Sequence, residues 1–141
     1  MDREKAIDEA KFSSGELREA LVERHSEETQ QKLEQGRVAI AGLGGLGSNV
    51  AIALTRIGVG HLHLLDFDPV DLTNLNRQQY FLDQVGRYKT EALSETLQRI
   101  NPYLDIRFDT VKITDENIQE LFQADESSVR LLMCRSTRLC W

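Results

Sequence analysis

The distribution of apolar side chains divides this chain near Arg37. Before that point polar residues dominate, and Leu17, Ala20 and Leu21 recur at helical spacing behind Ser14, which predicts a helix capped by that serine. A second helix is predicted from Ser26, with Glu27 and Glu28 in the dipole-favoured first turn, ending at Gly36. Its single large apolar residue is Leu33, so this helix must lie over another surface or a partner chain. From Arg37 the period changes. Val38–Ala41 is a continuous apolar run ending in glycine, the pattern of a strand buried on both faces of a parallel sheet. Val50, Ala51, Leu54 and Ile57 then follow at helical spacing, with Gly58 as the stop.

Further along, residues 61–67 alternate into a second strand that ends in Asp66 and Asp68. Strand, glycine turn, helix and strand in this order define a βαβ unit, whose crossover should be right-handed. A long polar loop, residues 71–88, precedes a helix over 89–100 with Leu93, Leu97 and Ile100 on one face and Pro102 beyond its end. Residues 105–113 read as a third strand through Ile106, Phe108 and Val111, and Thr114 is positioned to cap a short helix carrying Ile118, Leu121 and Phe122. The fold class that emerges is α/β: a Rossmann-like, doubly wound, mainly parallel sheet behind an N-terminal helical segment. The division is a helical segment over 1–36, a nucleotide-binding domain over 37–128 and a divergent tail over 129–141.

Composition narrows the class. In 141 residues, 17 Lys and Arg face 23 Asp and Glu, and this net −6 argues against non-specific binding to nucleic acid or anionic membranes. The first 36 residues hold ten acidic against six basic side chains, so the acidity is concentrated there. No apolar run is long enough to span a bilayer and the first residues lack the form of a signal peptide, so a soluble, cytoplasmic protein is expected. Cys134 and Cys140 both lie near the last residue, which excludes a disulfide framework and gives them no partner for zinc. His61 and His63 share a strand face without a third ligand, His25 reads as a solvated helix residue, and no metal-ligand set is predicted.

The chemistry concentrates in two places. Gly42-Leu43-Gly44-Gly45-Leu46-Gly47 satisfies G-x-G-x-x-G after a strand and at the opening of a helix. Gly42 permits the tight turn, Gly44 lets the backbone approach a phosphate, and Gly47 allows helix and strand to close together. Free N–H groups at the helix start face the anion. Asp66, 24 residues after Gly42, ends the next strand where a carboxylate can accept from ribose hydroxyls. The second place is the polar loop with Asn74 and Arg77, followed by Lys89. Arg77 can fork onto phosphate oxygens. Lys89 in the first turn of a helix opposes the helix dipole, a position that an anion would compensate. A triphosphate between Gly44, Arg77 and Lys89 is the simplest such anion, and positive charge there is what displacement at phosphorus requires. A nicotinamide-dependent oxidoreductase remains a competing reading, because the glycine turn alone does not choose between nucleotides.

Four motifs in order, residues 38–47, 64–68, 74–78 and 86–89, make the chain resemble the ThiF/MoeB/E1-like family, and within it the ThiF branch that adenylates the sulfur carrier ThiS in thiamine biosynthesis. The resemblance implies an ATP-dependent adenylyltransferase, in which the C-terminal carboxylate of a small ubiquitin-like carrier attacks the α-phosphate of ATP with Mg²⁺. It places Gly42, Gly44, Gly45 and Gly47 along the nucleotide, Asp66 on the ribose, and Asn74, Arg77 and Lys89 on the phosphates. It further implies a homodimer in which an arginine before the first strand reaches the partner's site, and Arg24 is the candidate. Arg77, Lys89 and Arg24 are thus the candidate catalytic residues.

The chain also departs from that pattern. The resemblance implies a further strand ending in an acid that binds Mg²⁺, then paired zinc cysteines and a catalytic-cysteine region. Here no Asp or Glu follows Glu126, whereas Arg130, Arg135 and Arg138 arrive together. One reading is a frameshift near 127–129 in the front part of a longer enzyme. Another is a short homologue with a divergent tail, or a remnant that holds a nucleotide without turning it over.

Overall fold

In the computed structural model, the structure describes residues 2–123 and the backbone of 129–133. A short helix α1 (Arg3–Asp8) precedes α2 (Ser14–His25) and α3 (Glu27–Gln35). Then come β1 (Arg37–Ala41), α4 (Gly45–Ile57), β2 (His61–Leu65), α5 (Lys89–Ile100), β3 (Asp105–Asp109), α6 (Ile118–Phe122) and β4 (Val129–Met133). The strands form one parallel sheet in the order β3-β2-β1-β4. This is the Rossmann-like α/β architecture expected from the change of period at Arg37. The sheet continues through β4, paired with β1 from Arg37↔Val129 to Ala41↔Met133, so the backbone beyond 128 contributes a strand. Cys134, Cys140 and the rest of the arginine-rich tail lie outside the described residues.

The core lies between sheet and helices. Ile40, Leu62 and Leu64 from β1 and β2 pack with Leu43, Ala51 of α4 and Ala92, Leu93 and Leu97 of α5, all buried. Burial on both faces is what the uninterrupted apolar run in β1 requires, because a central parallel strand meets helices on either side. α5 occupies the range that the spacing of Leu93, Leu97 and Ile100 predicts, and α4 ends on Gly58 in the left-handed conformation, φ +92°. Among the described residues no helix is long and apolar enough to cross a membrane.

Three local expectations are corrected. The cap of α2 is Ser13 instead of Ser14, because Ser13 has Glu16 three residues on. Its hydroxyl accepts from the Glu16 N–H at 3.2 Å, and the Glu16 carboxylate accepts from the Ser13 N–H at 2.8 Å. These bonds hold the Glu16 carboxyl below its usual range. β3 stops at Asp109 because, at the edge of the sheet among the described strands, its neighbour β2 ends at Leu65, the register partner of Asp109. Thr114 opens the turn before α6 through its backbone: its carbonyl accepts from the N–H groups of Asn117 and Ile118, while its N–H donates to Asn117 Oδ1.

The polar helices α2 and α3 find a surface within the chain. Gln30 of α3 is buried, with its Nε2 donating to the Gly58 carbonyl at 3.4 Å and to Glu34 Oε1 at 3.3 Å. Its Oε1 lies 2.7 Å from His25 Nε2, so His25 is a half-buried hydrogen-bonding residue and not a solvated one. Gly60 lies so close to α3 that a Cβ there would sit 1.8 Å from the Glu34 carbonyl oxygen. The two helices are therefore tied over the turn between α4 and β2.

Candidate nucleotide site

The carboxyl ends of β1 and β2 bring the glycine turn and Asp66 to one place. Gly42 leaves β1 at φ +93°, a conformation that favours glycine, and its N–H donates to the Leu65 carbonyl at 2.8 Å. A Cβ on Gly47 would lie 1.8 Å from the Gly42 carbonyl oxygen, so no other residue lets α4 start this close to the turn. The Ser48 N–H donates to the Gly44 carbonyl at 3.0 Å. That bond begins the helical ladder and leaves the N–H groups of Gly45, Leu46 and Gly47 for a ligand.

Leu43 is fixed at both polar groups of its backbone. Its N–H donates to Asp66 Oδ2 at 2.7 Å, and its carbonyl accepts from the Tyr80 hydroxyl at 2.6 Å. Asp66 Oδ1 also accepts from the Asp68 N–H at 2.8 Å. The buried Asp66 thus braces the glycine turn against the end of β2, a role that the sequence reading did not include. Each carboxylate oxygen retains further acceptor capacity, so bracing the turn leaves room for a ribose hydroxyl. Tyr80 is buried, and burial together with the negative charge of Asp66 pushes its hydroxyl well above the usual phenolic range. It therefore stays protonated and able to donate.

The polar loop is stitched to the same turn. Asn49 Nδ2 donates to the Arg77 carbonyl at 3.0 Å, Asn49 Oδ1 accepts from Gln79 Nε2 at 2.7 Å, and Ser48 Oγ accepts from the Gln79 N–H at 3.1 Å. Asn74 folds back to accept from the Asp71 N–H at 3.1 Å and so closes the short helical turn over Leu72–Asn74. Asp71 is held below its usual range chiefly by its bonds to Thr73. The exposed guanidinium of Arg77 reaches the Thr73 carbonyl and Asn76 Oδ1 but no carboxylate among the described residues.

Lys89 stands out. It opens α5, its N–H donates to the Asp68 carbonyl at 3.1 Å, and the residue is only 6% exposed. Among the described residues its ammonium has no hydrogen-bond or ion-pair partner. Two residues earlier, Arg87 makes a bidentate pair with Glu95 at 2.8 Å on both arms. A lysine at a helix N-terminus that makes neither a hydrogen bond nor an ion pair is unfavourably placed against the helix dipole, its electrostatic partner among the described residues being Asp71 in the preceding loop, and a bound anion would relieve it. Asp66, Asn74 and Arg77 lie in the loop after β2 and Lys89 opens α5; Asp66 is tied to the glycine turn through Leu43, and the Arg77 backbone to α4 through Asn49. Arg24 lies elsewhere, exposed near the end of α2, and forms no ion pair among the described residues.

Sequence reasoning missed Ser48, Asn49, Gln79 and Tyr80. Each lies in or beside a quoted motif, but the cross-links between motifs have no signature along the chain. The two strand histidines are cross-strand partners of acids: His61 Nδ1 meets Asp105 at 2.9 Å and the buried His63 Nε2 meets Asp109 at 2.6 Å. Among the described residues no group of three or more His, Cys, Asp or Glu could hold a metal.

A glycine turn opening a helix after the first strand, with an acid just past the end of the next, defines a Rossmann-type domain. The chain belongs to the ThiF family, whose model matches residues 17–134. It is 45% identical over 84 residues to the ubiquitin-like modifier-activating enzyme 5 of Arabidopsis thaliana, covering 60% of this chain and 20% of that protein. The Drosophila persimilis protein of the same name is 41% identical over 103 residues, covering 73% of this chain and 25% of the relative. The chain thus spans a fifth to a quarter of the length of these relatives. Among solved structures, the tRNA N6-threonylcarbamoyladenosine dehydratase TcdA of E. coli in complex with ATP superposes with a TM-score of 0.78 at 28% identity, covering 88% of this chain and 52% of TcdA. E. coli MccB with ATP gives a TM-score of 0.62 at 34% identity, covering 64% of this chain and 28% of MccB.

Proposed function

We propose that this domain binds ATP at the glycine turn and serves the adenylation of a ubiquitin-like protein's C-terminal carboxylate. The observation that carries the reading is Lys89, a 6% exposed lysine that opens α5 without an ion pair among the described residues, on the segment that follows the acid bracing the glycine turn. ATP fits this donor set. The N–H groups of Gly45, Leu46 and Gly47 would meet phosphate oxygens, Asp66 the ribose, and Asn74, Arg77 and Lys89 the rest of the triphosphate. As the carboxylate attacks the α-phosphorus and pyrophosphate departs, charge gathers on the non-bridging oxygens and the leaving group. Fixed cations and oriented N–H groups stabilise that charge more than they stabilise the ground state. Asp68, a half-buried acid whose N–H donates to Asp66, would be the residue to hold Mg²⁺ with the phosphates, since this ion commonly takes one or two carboxylates and keeps its waters.

For the substrate, the relatives named as ubiquitin-like modifier-activating enzymes support a ubiquitin-like modifier. They give the thiamine carrier ThiS, expected from the resemblance, no specific support. Membership of a family with ATP- and AMP-bound neighbours likewise leaves the nicotinamide reading without support. A homodimer with Arg24 reaching across is part of the proposal. The lack of any acid after Glu126 favours a second reading, in which the domain holds ATP without turnover. ATP–pyrophosphate exchange with a ubiquitin-like protein ending in Gly-Gly separates the two. Exchange is expected for catalysis, binding of ATP without exchange supports the holding role, and a preference for NAD over ATP would overturn both.

A further inference from the structure

Among the described residues, two buried side-chain amide oxygens lack any hydrogen-bond partner, those of Gln78 and Gln98. They differ in setting. Gln98 is a half-buried residue on the wall of an open cavity of about 400 Å³ between α1 and α5, where water has room. Gln78 is 6% exposed and sits in the segment stitched to the glycine turn. The residue before it is held by Asn49, and the residue after it by Ser48 and Asn49. Tyr80, one further on, reaches the Leu43 carbonyl at 2.6 Å. The Gln78 N–H is spent on the Asn74 carbonyl at 2.9 Å and the Gln78 carbonyl on the Tyr80 N–H at 2.9 Å. The backbone is therefore satisfied, while the side-chain oxygen is buried and unsatisfied. Native proteins seldom leave such a group unpaired, and a bound ligand is one explanation of the exceptions.

Resting on the nucleotide reading above, we propose that Gln78 is a binding residue whose amide oxygen accepts a hydrogen bond from the nucleoside part of ATP. The chemistry of the surrounding set selects that part. Arg77, Lys89 and the N–H groups of the turn only donate, so they suit phosphate, which only accepts. An amide oxygen needs a donor. On an adenine nucleotide the donors are the ribose hydroxyls and the amino group of the base. Gln78 would thus complement Asp66, letting the site recognise a nucleoside triphosphate where the cations alone recognise any polyphosphate.

The test compares the full wild-type chain with Gln78→Met, a substitution that keeps length and removes the polar atoms. Affinities are read by titration with ATP, 2′,3′-dideoxy-ATP, purine riboside triphosphate and inorganic tripolyphosphate. An unpaired buried amide predicts that the unliganded variant melts no lower than wild type. Its Kd for ATP should rise about tenfold, as for the loss of one hydrogen bond, while its Kd for tripolyphosphate stays unchanged. The analogue lacking the donor that Gln78 reads should bind wild type as weakly as ATP binds the variant. Equal ATP affinity in variant and wild type would overturn the proposal, and so would equal losses for ATP and tripolyphosphate. Should Gln78→Met fail to fold, the wild-type Gln78 side-chain amide resonances decide: they must move with ATP and stay with tripolyphosphate, and a signal unmoved by ATP sinks the idea. If Lys89→Met weakens ATP binding and Gln78→Met does not, this inference fails alone. If wild type binds neither compound, the nucleotide reading fails with it.

Discussion

The two ends of β2 use the same device for different purposes. Near its start, Gly60 allows α3 to come so close that a Cβ would sit 1.8 Å from the Glu34 carbonyl; near its finish, Gly47 allows α4 the same 1.8 Å approach to the Gly42 carbonyl. Around Gly60 the charges pair off. Arg18 bonds both Glu27 and Glu34, which raises its own pKa and lowers that of Glu27, and His61 meets Asp105. Around Gly47 the N–H groups of Gly45, Leu46 and Gly47 are left open, and neither Arg77 nor Lys89 forms an ion pair with a carboxylate among the described residues. Close-approach glycines therefore mark where backbone must touch backbone. The unmatched cations mark where a ligand belongs.

The strongest way to break this comparison is to give each glycine a side chain. Gly47→Ala and Gly60→Ala each force a backbone shift, and each should cost about 3 kcal/mol or more by denaturant unfolding. Gly86→Ala is the control. Its Cβ would meet nothing within 4 Å, so only the strain of φ +89° remains, about 1 to 2 kcal/mol. Equal losses at all three positions would show that close approach decides nothing at either end.

Lys89→Met sharpens the comparison from the ligand's side. Removing a cation that makes no hydrogen bond or ion pair among the described residues and opposes the dipole of α5 should leave the melting temperature of the free protein equal or higher. ATP affinity should fall about 10- to 100-fold, the range for losing a charge-assisted bond. Arg18→Met at the other end should do the reverse, lowering stability while sparing ATP binding. A free-state loss for Lys89→Met would mean that its ammonium is already compensated. Tyr80→Phe comes next in size. It removes the donor to the Leu43 carbonyl at 2.6 Å and should cost about 1 kcal/mol, with a small rise in the KM for ATP as the turn loosens.

How much of this was legible along the chain follows from what each feature depends on. The Rossmann-like order, α4, α5 and the glycine turn depend on local period and on residue types with few substitutes, so Val38–Ala41, Gly42 and Leu93 announce them. The limit of β3 depends on where its neighbour β2 ends, which no property of Val111 records. Asp66 was legible as an acid at the end of a strand but not as the brace of Leu43, because that bond joins residues 23 apart. Gln78 and Tyr80 were visible only as part of a polar run. Their separate roles come from burial, which the sequence of a loop does not encode. Sequence reasoning sent the polar helices α2 and α3 toward another surface, and Gln30, a polar residue that periodicity would leave outside, supplies the contact.

Arg87 and Lys89 restate the contrast within three residues, and the smallest predicted effect tests it there. Bidentate bonding to Arg87 lowers the Glu95 carboxyl from its ordinary 4.5 to about 2. The same pairing raises Arg87, which also feels Glu91 and Asp83. A depressed carboxyl stabilises the fold while it is ionised. Its contribution is fully present above pH 4.5 and disappears as the pH falls toward 2. Both side chains are about a third exposed or more, at 40% and 33%, so the whole effect should stay below about 1 kcal/mol. Glu95→Gln should therefore lower the melting temperature slightly at neutral pH, and the difference from wild type should narrow across that acid window. ATP affinity should not change, since Arg87 is a matched cation and Lys89 is not. If Glu95→Gln instead altered ATP binding as much as Lys89→Met, freeing a cation near the turn would be enough to reshape the site. The division between matched and unmatched charge would then be one of degree.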